Sequence, residues 1–232
     1  MNGRKTEPGL GLFGPTCAWK SSTAIALAHA VGGEVVSCDS MQVYRGMDIG
    51  TATPNAEDQQ GVPHHLLSTL DIQETCDAHA FVQEAEKQIR AIRGRGHTPI
   101  VAGGSGLYAR ALMYGLTMLP ADRRLMKTLE TSIEQPGGKE ELLLELSRAP
   151  GGDAIPAEIR QNPRRLLRAV EVLRLTGRPP WNHDVTPQAR PDFREFVILP
   201  DMAVLRPRIT ARVQQMLADG WLEETRTLVR KG

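Results

Sequence analysis

The chain has few of the features that mark a membrane, secreted or metal-held protein. No run of about 18 apolar residues occurs, so no transmembrane helix is predicted. The polar start MNGRKTEPG lacks the apolar stretch of a secretion signal. Cys17, Cys38 and Cys76 are odd in number and form no C-x-x-C pair. That disfavours a disulfide framework or a zinc site and suits a reducing compartment, so a cytoplasmic protein is expected. Charge of one sign is missing too, with 28 Lys and Arg against 27 Asp and Glu for a net +1. The average announces no nucleic-acid partner, which leaves the question to local patches.

What is present is 232 residues, 41% of them hydrophobic and 24% charged. That suffices for one substantial α/β core plus a smaller lobe. Near the start, Gly14-Pro15-Thr16-Cys17-Ala18-Trp19-Lys20-Ser21 follows the phosphate-loop pattern G-x-x-x-x-G-K-[ST] except at its sixth position. Such a loop wraps backbone N–H groups around a phosphate, sends a lysine to its oxygens and offers a hydroxyl to Mg²⁺. Lys20 and Ser21 stand ready for the last two tasks. Trp19 occupies the glycine position, where backbone and phosphate approach closely and the dihedrals favour glycine, so the indole is expected to obstruct the site.

The surrounding pattern supplies the context that such a loop requires. Leu10 to Phe13 reads as a weak strand entering the loop, and the small apolar residues from Ser22 to Val31 read as a helix ending at Gly32-Gly33. Glu34 to Ser37 is a short buried strand, and Asp39 and Ser40 lie just past its carboxyl end, where ligands gather in open parallel sheets. Arg45 to Asp77, rich in Gly, Pro, Asp and Thr, is expected to be loop. Phe81, Ala85, Ile89 and Ile92 mark an amphipathic helix; Thr98 to Ala102 is a strand leading to Gly103-Gly104-Ser105-Gly106, and helix continues to Tyr114. The alternation predicts an α/β, P-loop NTPase-like parallel sheet flanked by helices.

From Leu119 to about Pro180 the pattern is helical, with breaks at Pro136-Gly-Gly138 and Pro150-Gly-Gly152, so a helical insertion lobe is predicted. On a helix starting near Pro163, Arg164, Arg165 and Arg168 share one face, while Leu166, Leu167, Val170 and Leu173 occupy the other. Glu171 is the single acid between Arg160 and Arg178. The basic face is therefore either a solvated surface or a polyanion contact. Glu195 to Leu199 is expected to return to the sheet, followed by a helix on which Arg208 and Arg212, one turn apart, are either a phosphate clamp or surface charges. Trp221 to Val229 reads as a last helix. The expected organisation is a core at residues 1–120, a helical insertion at 121–185 and a return to the core at 186–232.

Several segments are more specific than the loop. Asp39-Ser-Met-Gln-Val-Tyr-Arg-Gly-Met-Asp-Ile-Gly-Thr-Ala-Thr-Pro54, Val62-Pro-His-His-Leu66, Gly103-Gly-Ser-Gly-Leu-Tyr108, Asn162-Pro-Arg-Arg-Leu-Leu-Arg-Ala-Val-Glu-Val172, Thr176-Gly177 and Arg208 to Gly220 resemble, in order, the tRNA dimethylallyltransferases. The likeness covers about residues 10 to 231, whereas the loop alone leaves ATPases and kinases open.

The resemblance implies transfer of a dimethylallyl group from dimethylallyl diphosphate to the N6 amine of the adenine 3′ to the anticodon of tRNA. In that family the loop holds the donor's diphosphate rather than ATP, which implicates Gly14 to Ser21, with Mg²⁺ near Ser21. Lys20 and Arg212 would stabilise the leaving group and Asp39 would take or orient the amine proton. Asp39, Ser40, Met41, Gln42 and Ser105, with Arg164, Arg165, Leu166, Leu167 and Arg168, match tRNA-contact positions, which makes 121–185 a tRNA-binding insertion. An extruded base from the anticodon loop is implied, and a monomer is expected. Ser105 stands where threonine is usual, and His64 and His65 are read as structural or loop hydrogen-bonding residues rather than metal ligands. The family pattern continues for several dozen residues of basic helix beyond Gly232, so truncated C-terminal helices are expected. With Trp19, this keeps open a family member that binds tRNA without transfer.

Overall fold

The computed structural model describes residues 7–115, 119–183 and 187–231, the Asp153 side chain excepted. It separates into two compact units, Met1–Leu116 with Pro187–Gly232, and Thr117–Thr186. The boundary expected between residues 185 and 186 lies outside the described residues.

The first unit is built on strands β1 (Gly9–Phe13), β2 (Gly33–Ser37), β3 (His64–His65), β4 (Thr98–Gly103) and β5 (Phe193–Val197). All pair in parallel, in the order β3-β2-β4-β1-β5. The sheet's helices are α1 (Lys20–Val31), the single turn α2 (Asp48–Thr51), α3 (Ala78–Gly94) and α4 (Gly106–Tyr114). The helices between α4 and β5 belong to the second unit, and α9 (Met202–Ala218) and α10 (Trp221–Lys231) follow β5.

Period-two alternation sends neighbouring strand residues to opposite faces. Leu12, Val35, Ile100 and Ala102 pack with Ala24, Ile25 and Ala28 of α1. Val36 and Val101 pack with Phe81, Ala85, Ile89, Ile92, Leu112 and Met113 of α3 and α4. The small side chains of α1 let its backbone lie close to the sheet. Two expectations need correction. The segment from Arg45 to Asp77, expected to be loop, contributes α2 and the edge strand β3, whose two residues are too few to leave a periodic signal. Gly33, expected as a helix stop, begins β2, while Gly32 at φ 62 ends α1.

The second unit packs α5 (Arg123–Ile133), α6 (Gly138–Arg148), α7 (Ala157–Gln161) and α8 (Pro163–Thr176), and no strand occurs among its described residues. Its core joins Leu129, Leu142, Leu146, Leu166, Leu167 and Val170. Asn162 caps α8 by accepting from the Arg165 amide at 3.2 Å, Pro163 takes the first helical turn where no donor is needed, and Gly177 ends it in the left-handed conformation.

Candidate active site

A pocket of about 270 Å³ opens beyond the carboxyl ends of β1, β2 and β4, the edge at which open parallel sheets bind ligands. Thr16, Lys20 and Ser21 line it from the phosphate loop, Asp39, Ser40 and Gln42 from beyond β2, Gly103, Gly104 and Ser105 from beyond β4, and Arg212 from α9. The sequence thus spreads over nearly two hundred residues a set that the fold brings together.

Local geometry explains each placement. Gly14 leaves β1 where a Cβ would run into the Ile198 carbonyl oxygen, and at Gly103 a Cβ would meet the Cys38 carbonyl. Lys20 opens α1 and curls back to donate to the Pro15 carbonyl at 2.7 Å. Its pKa is lowered, first by burial and then by Arg212, against the opposing pull of Asp39. Arg212 donates to Thr16 Oγ1 at 3.1 Å and to the Thr51 carbonyl at 3.2 Å. The Asp39 Oδ1 accepts from the amides of Met41 at 2.9 Å and Gln42 at 3.4 Å, while the carboxylate lines the pocket. Capping and pocket lining therefore coexist in one carboxylate. Gln42 is fixed by Ser37, whose hydroxyl donates to Oε1 at 3.0 Å, and by the carbonyls of Thr51 and Ala52.

Trp19 meets the backbone demand of the glycine position in the loop pattern. It adopts φ 58 and ψ 16, the left-handed conformation a glycine would supply, as Cys17 does at φ 60. For a side chain this costs roughly 1–2 kcal/mol. The indole is absent from the lining of the pocket that holds Asp39; 42% exposed, it lines an adjoining cavity together with Lys20, Ser21, Arg208 and Arg212. Ala18, between Cys17 and Trp19, is buried. Arg208 lies on the indole and donates to the Cys17 carbonyl, while Arg212 lines the pocket with Asp39; both arginines line the adjoining cavity with Lys20 and Ser21.

Thr51 and Ala52 also line the pocket, and sequence reasoning had not singled them out. They are held by α2, whose Ile49 and Gly50 amides donate to the Glu224 carboxylate at 2.7 and 2.9 Å. The Trp221 ring packs against Gly50 in the same contact, where a Cβ would run into it. Met41 is exposed and lies outside the pocket lining.

In the second unit Arg164 and Arg165 are exposed. Arg168 instead donates to the Leu119 and Pro120 carbonyls at 2.7 and 2.9 Å and to the buried Glu171. Leu166 and Leu167 are buried in that unit's core, so their side chains orient α8 rather than reach a partner; this corrects their expected contact role. His65 Nε2 donates to the Glu34 carboxylate at 2.7 Å and His64 Nδ1 to the Val62 carbonyl at 2.8 Å, both as structural residues. No group of three His, Cys, Asp or Glu able to hold a metal occurs among the described residues. The Ser21 hydroxyl lines the pocket and fits a Mg²⁺ that takes other ligands from phosphate oxygens and water. No described helix is long and apolar enough to cross a membrane.

A sequence model described as IPP transferase matches residues 42–232. A tRNA dimethylallyltransferase of Kocuria rhizophila is 41% identical over 230 residues, covering 97% of this chain and 71% of that one. Its counterpart from Thermus thermophilus is 43% identical over 223 residues, 95% of this chain and 72% of the relative. Among solved structures, the tRNA isopentenylpyrophosphate transferase of Bacillus halodurans superposes with a TM-score of 0.64 at 36% identity, over 97% of this chain and 71% of that one. A eukaryotic dimethylallyltransferase acting on tRNA gives 0.74 at 25% identity, over 97% and 56%.

Proposed function

The chain belongs to the IPP transferase family, and from that membership and the pocket's geometry we propose that it moves a dimethylallyl group from dimethylallyl diphosphate to the exocyclic N6 amine of the adenine 3′ to the anticodon in tRNA. The observation that carries this reading is the meeting of Lys20, Arg212 and Thr16 with Asp39 in one pocket. Donors for a leaving diphosphate and an acceptor for an amine proton share one cavity.

In the proposed reaction the allylic C–O bond breaks with its electron pair passing to the diphosphate. Lys20, Arg212, the Thr16 hydroxyl and the loop amides meet the growing negative charge where it develops, which lowers the barrier more than it tightens ground-state binding. The N6 lone pair forms the new C–N bond, and the amine becomes acidic as it does so. Asp39 Oδ2 accepts that proton, while the two amides on Oδ1 hold the carboxylate in place. Mg²⁺ would neutralise diphosphate oxygens beside Ser21.

The base reaches this pocket only after leaving the anticodon stack. Ser40, Gln42 and Ser105 line its wall and offer polar groups to an extruded adenine. Arg164 and Arg165 are proposed to meet tRNA phosphates. We read the protein as a monomer that acts in the cytoplasm.

The deciding experiment is transfer of labelled dimethylallyl from its diphosphate to unmodified tRNA with Mg²⁺, wild type beside Asp39→Ala. Label in tRNA with wild type and its loss with the variant is the expected outcome. Tight tRNA binding without transfer by wild type would replace the reading with a non-catalytic tRNA binder.

A further inference from the structure

The side chain of Trp19 has no part in the mechanism above, yet it holds a backbone conformation that tryptophan rarely adopts. What covers it is the guanidinium of Arg208, 3.9 Å from the ring centroid. The same group donates through Nε to the Cys17 carbonyl at 3.0 Å, so Arg208 grips the loop on both sides of buried Ala18. One turn further along α9, Arg212 donates to Thr16 Oγ1 and the Thr51 carbonyl. Helix α9 therefore meets the loop at Thr16, Cys17 and Trp19. A glycine would accept the dihedrals of position 19 but would give Arg208 no ring to lie on.

We propose that Trp19 is a positioning residue: stacked under Arg208, it locks α9 against the phosphate loop and thereby holds Arg212 at the diphosphate. The proposal rests on the reading of this pocket as the diphosphate site. Trp19 stands outside the lining of the pocket that holds Asp39; it acts through Arg208, and Arg212 carries the effect into that pocket. The sign is the reverse of what the loop pattern suggests, because removing the indole should impair the site rather than open it.

Calorimetric titration with inorganic pyrophosphate and Mg²⁺ tests this without relying on turnover. Relative to wild type, Trp19→Gly should weaken pyrophosphate binding about tenfold, the scale of one partly desolvated cation–π contact. Trp19→Phe, which keeps an aromatic face, should stay within about threefold, whereas Trp19→Leu, which keeps only bulk, should fall with Trp19→Gly. Arg208→Ala should match Trp19→Gly, and the double variant should be no weaker than either, since both break one unit. In transfer assays kcat should follow the pyrophosphate losses while KM for tRNA holds.

Equal or tighter pyrophosphate binding by Trp19→Gly, or equal losses in Phe and Leu variants, would overturn the proposal, as would additive losses in the double variant. Should wild type bind pyrophosphate yet fail to prenylate tRNA, the functional reading fails and the calorimetric series still decides the role of Trp19. Absence of pyrophosphate binding in wild type would overturn both.

Discussion

Strand β2 carries an acid near each end, and the two are treated in opposite ways. Glu34 is 2% exposed, and both its oxygens are occupied. Arg95 donates to Oε1 at 3.0 Å and to Oε2 at 2.6 Å, while His97 meets Oε1 at 2.6 Å and His65 meets Oε2 at 2.7 Å. These bonds, Arg95 foremost, hold its pKa down to about 2 although burial pushes the other way. Asp39, two residues past the strand's end, spends Oδ1 on a turn and lines a pocket beside Lys20 and Arg212. An acid saturated by its neighbours is scaffold; one held by half its lone pairs and turned to a cavity is free for chemistry. The arginines of α8 divide likewise, Arg168 being used up within its unit while Arg164 and Arg165 face solvent.

The contrast is open to attack at each point. Asp39→Ala should lower kcat for dimethylallyl transfer by about 10²–10⁴, the usual worth of a positioned base, with tRNA affinity within a few-fold. Unchanged turnover would erase the distinction between the two acids. Glu34→Ala should do the reverse, leaving kcat of the folded enzyme near wild type while lowering the unfolding free energy by about 2–3 kcal/mol in urea titrations. That is below the 3–5 kcal/mol of fully buried pairs because Arg95 and His97 are about half exposed and can rehydrate.

Acid titration sharpens the same comparison. A carboxylate whose folded pKa is depressed contributes stability that is complete above its unfolded value and disappears as pH falls toward the folded one. With Glu34 and Asp192 both held at about 2, the urea midpoint of wild type should fall between about pH 4.5 and pH 2. Glu34→Gln should flatten that fall, and an unaltered pH profile would remove Glu34 from the account. The smallest effect is expected on α8. Arg165→Ala should weaken tRNA binding a few-fold and reduce the salt slope by roughly 0.7–0.9, whereas Arg168→Ala should lower the melting temperature without changing that slope. Identical behaviour of the two variants would break the division.

How much could be read in the chain follows from where each signal resides. Strand, loop and helix around Gly14 to Ser21, the helix of Phe81 to Ile92 and the breaks at Gly138 and Gly152 are short-range patterns, and they appear at their expected places. Lys20, Ser21 and Asp39 were legible because motif position and strand end are local facts. The fate of Arg208 was not, since a helix residue's partner depends on which surface the helix docks against. Glu34 looked like any strand residue, because Arg95, His97 and His65 converge on it only once β2, β3 and β4 pair.

The sequence by itself determined the parallel α/β pattern, the phosphate loop and the family, because these are written in periodicity, glycine placement and ordered motifs. Tertiary structure alone decided that Arg212 lines the pocket with Asp39 while Trp19 and Arg208 stack in the adjoining cavity, that Leu166 and Leu167 turn inward, and that Glu224 caps α2 from the far end of the chain. Each of these depends on contacts between segments that only packing brings together, and on side-chain directions that spacing along the chain leaves free.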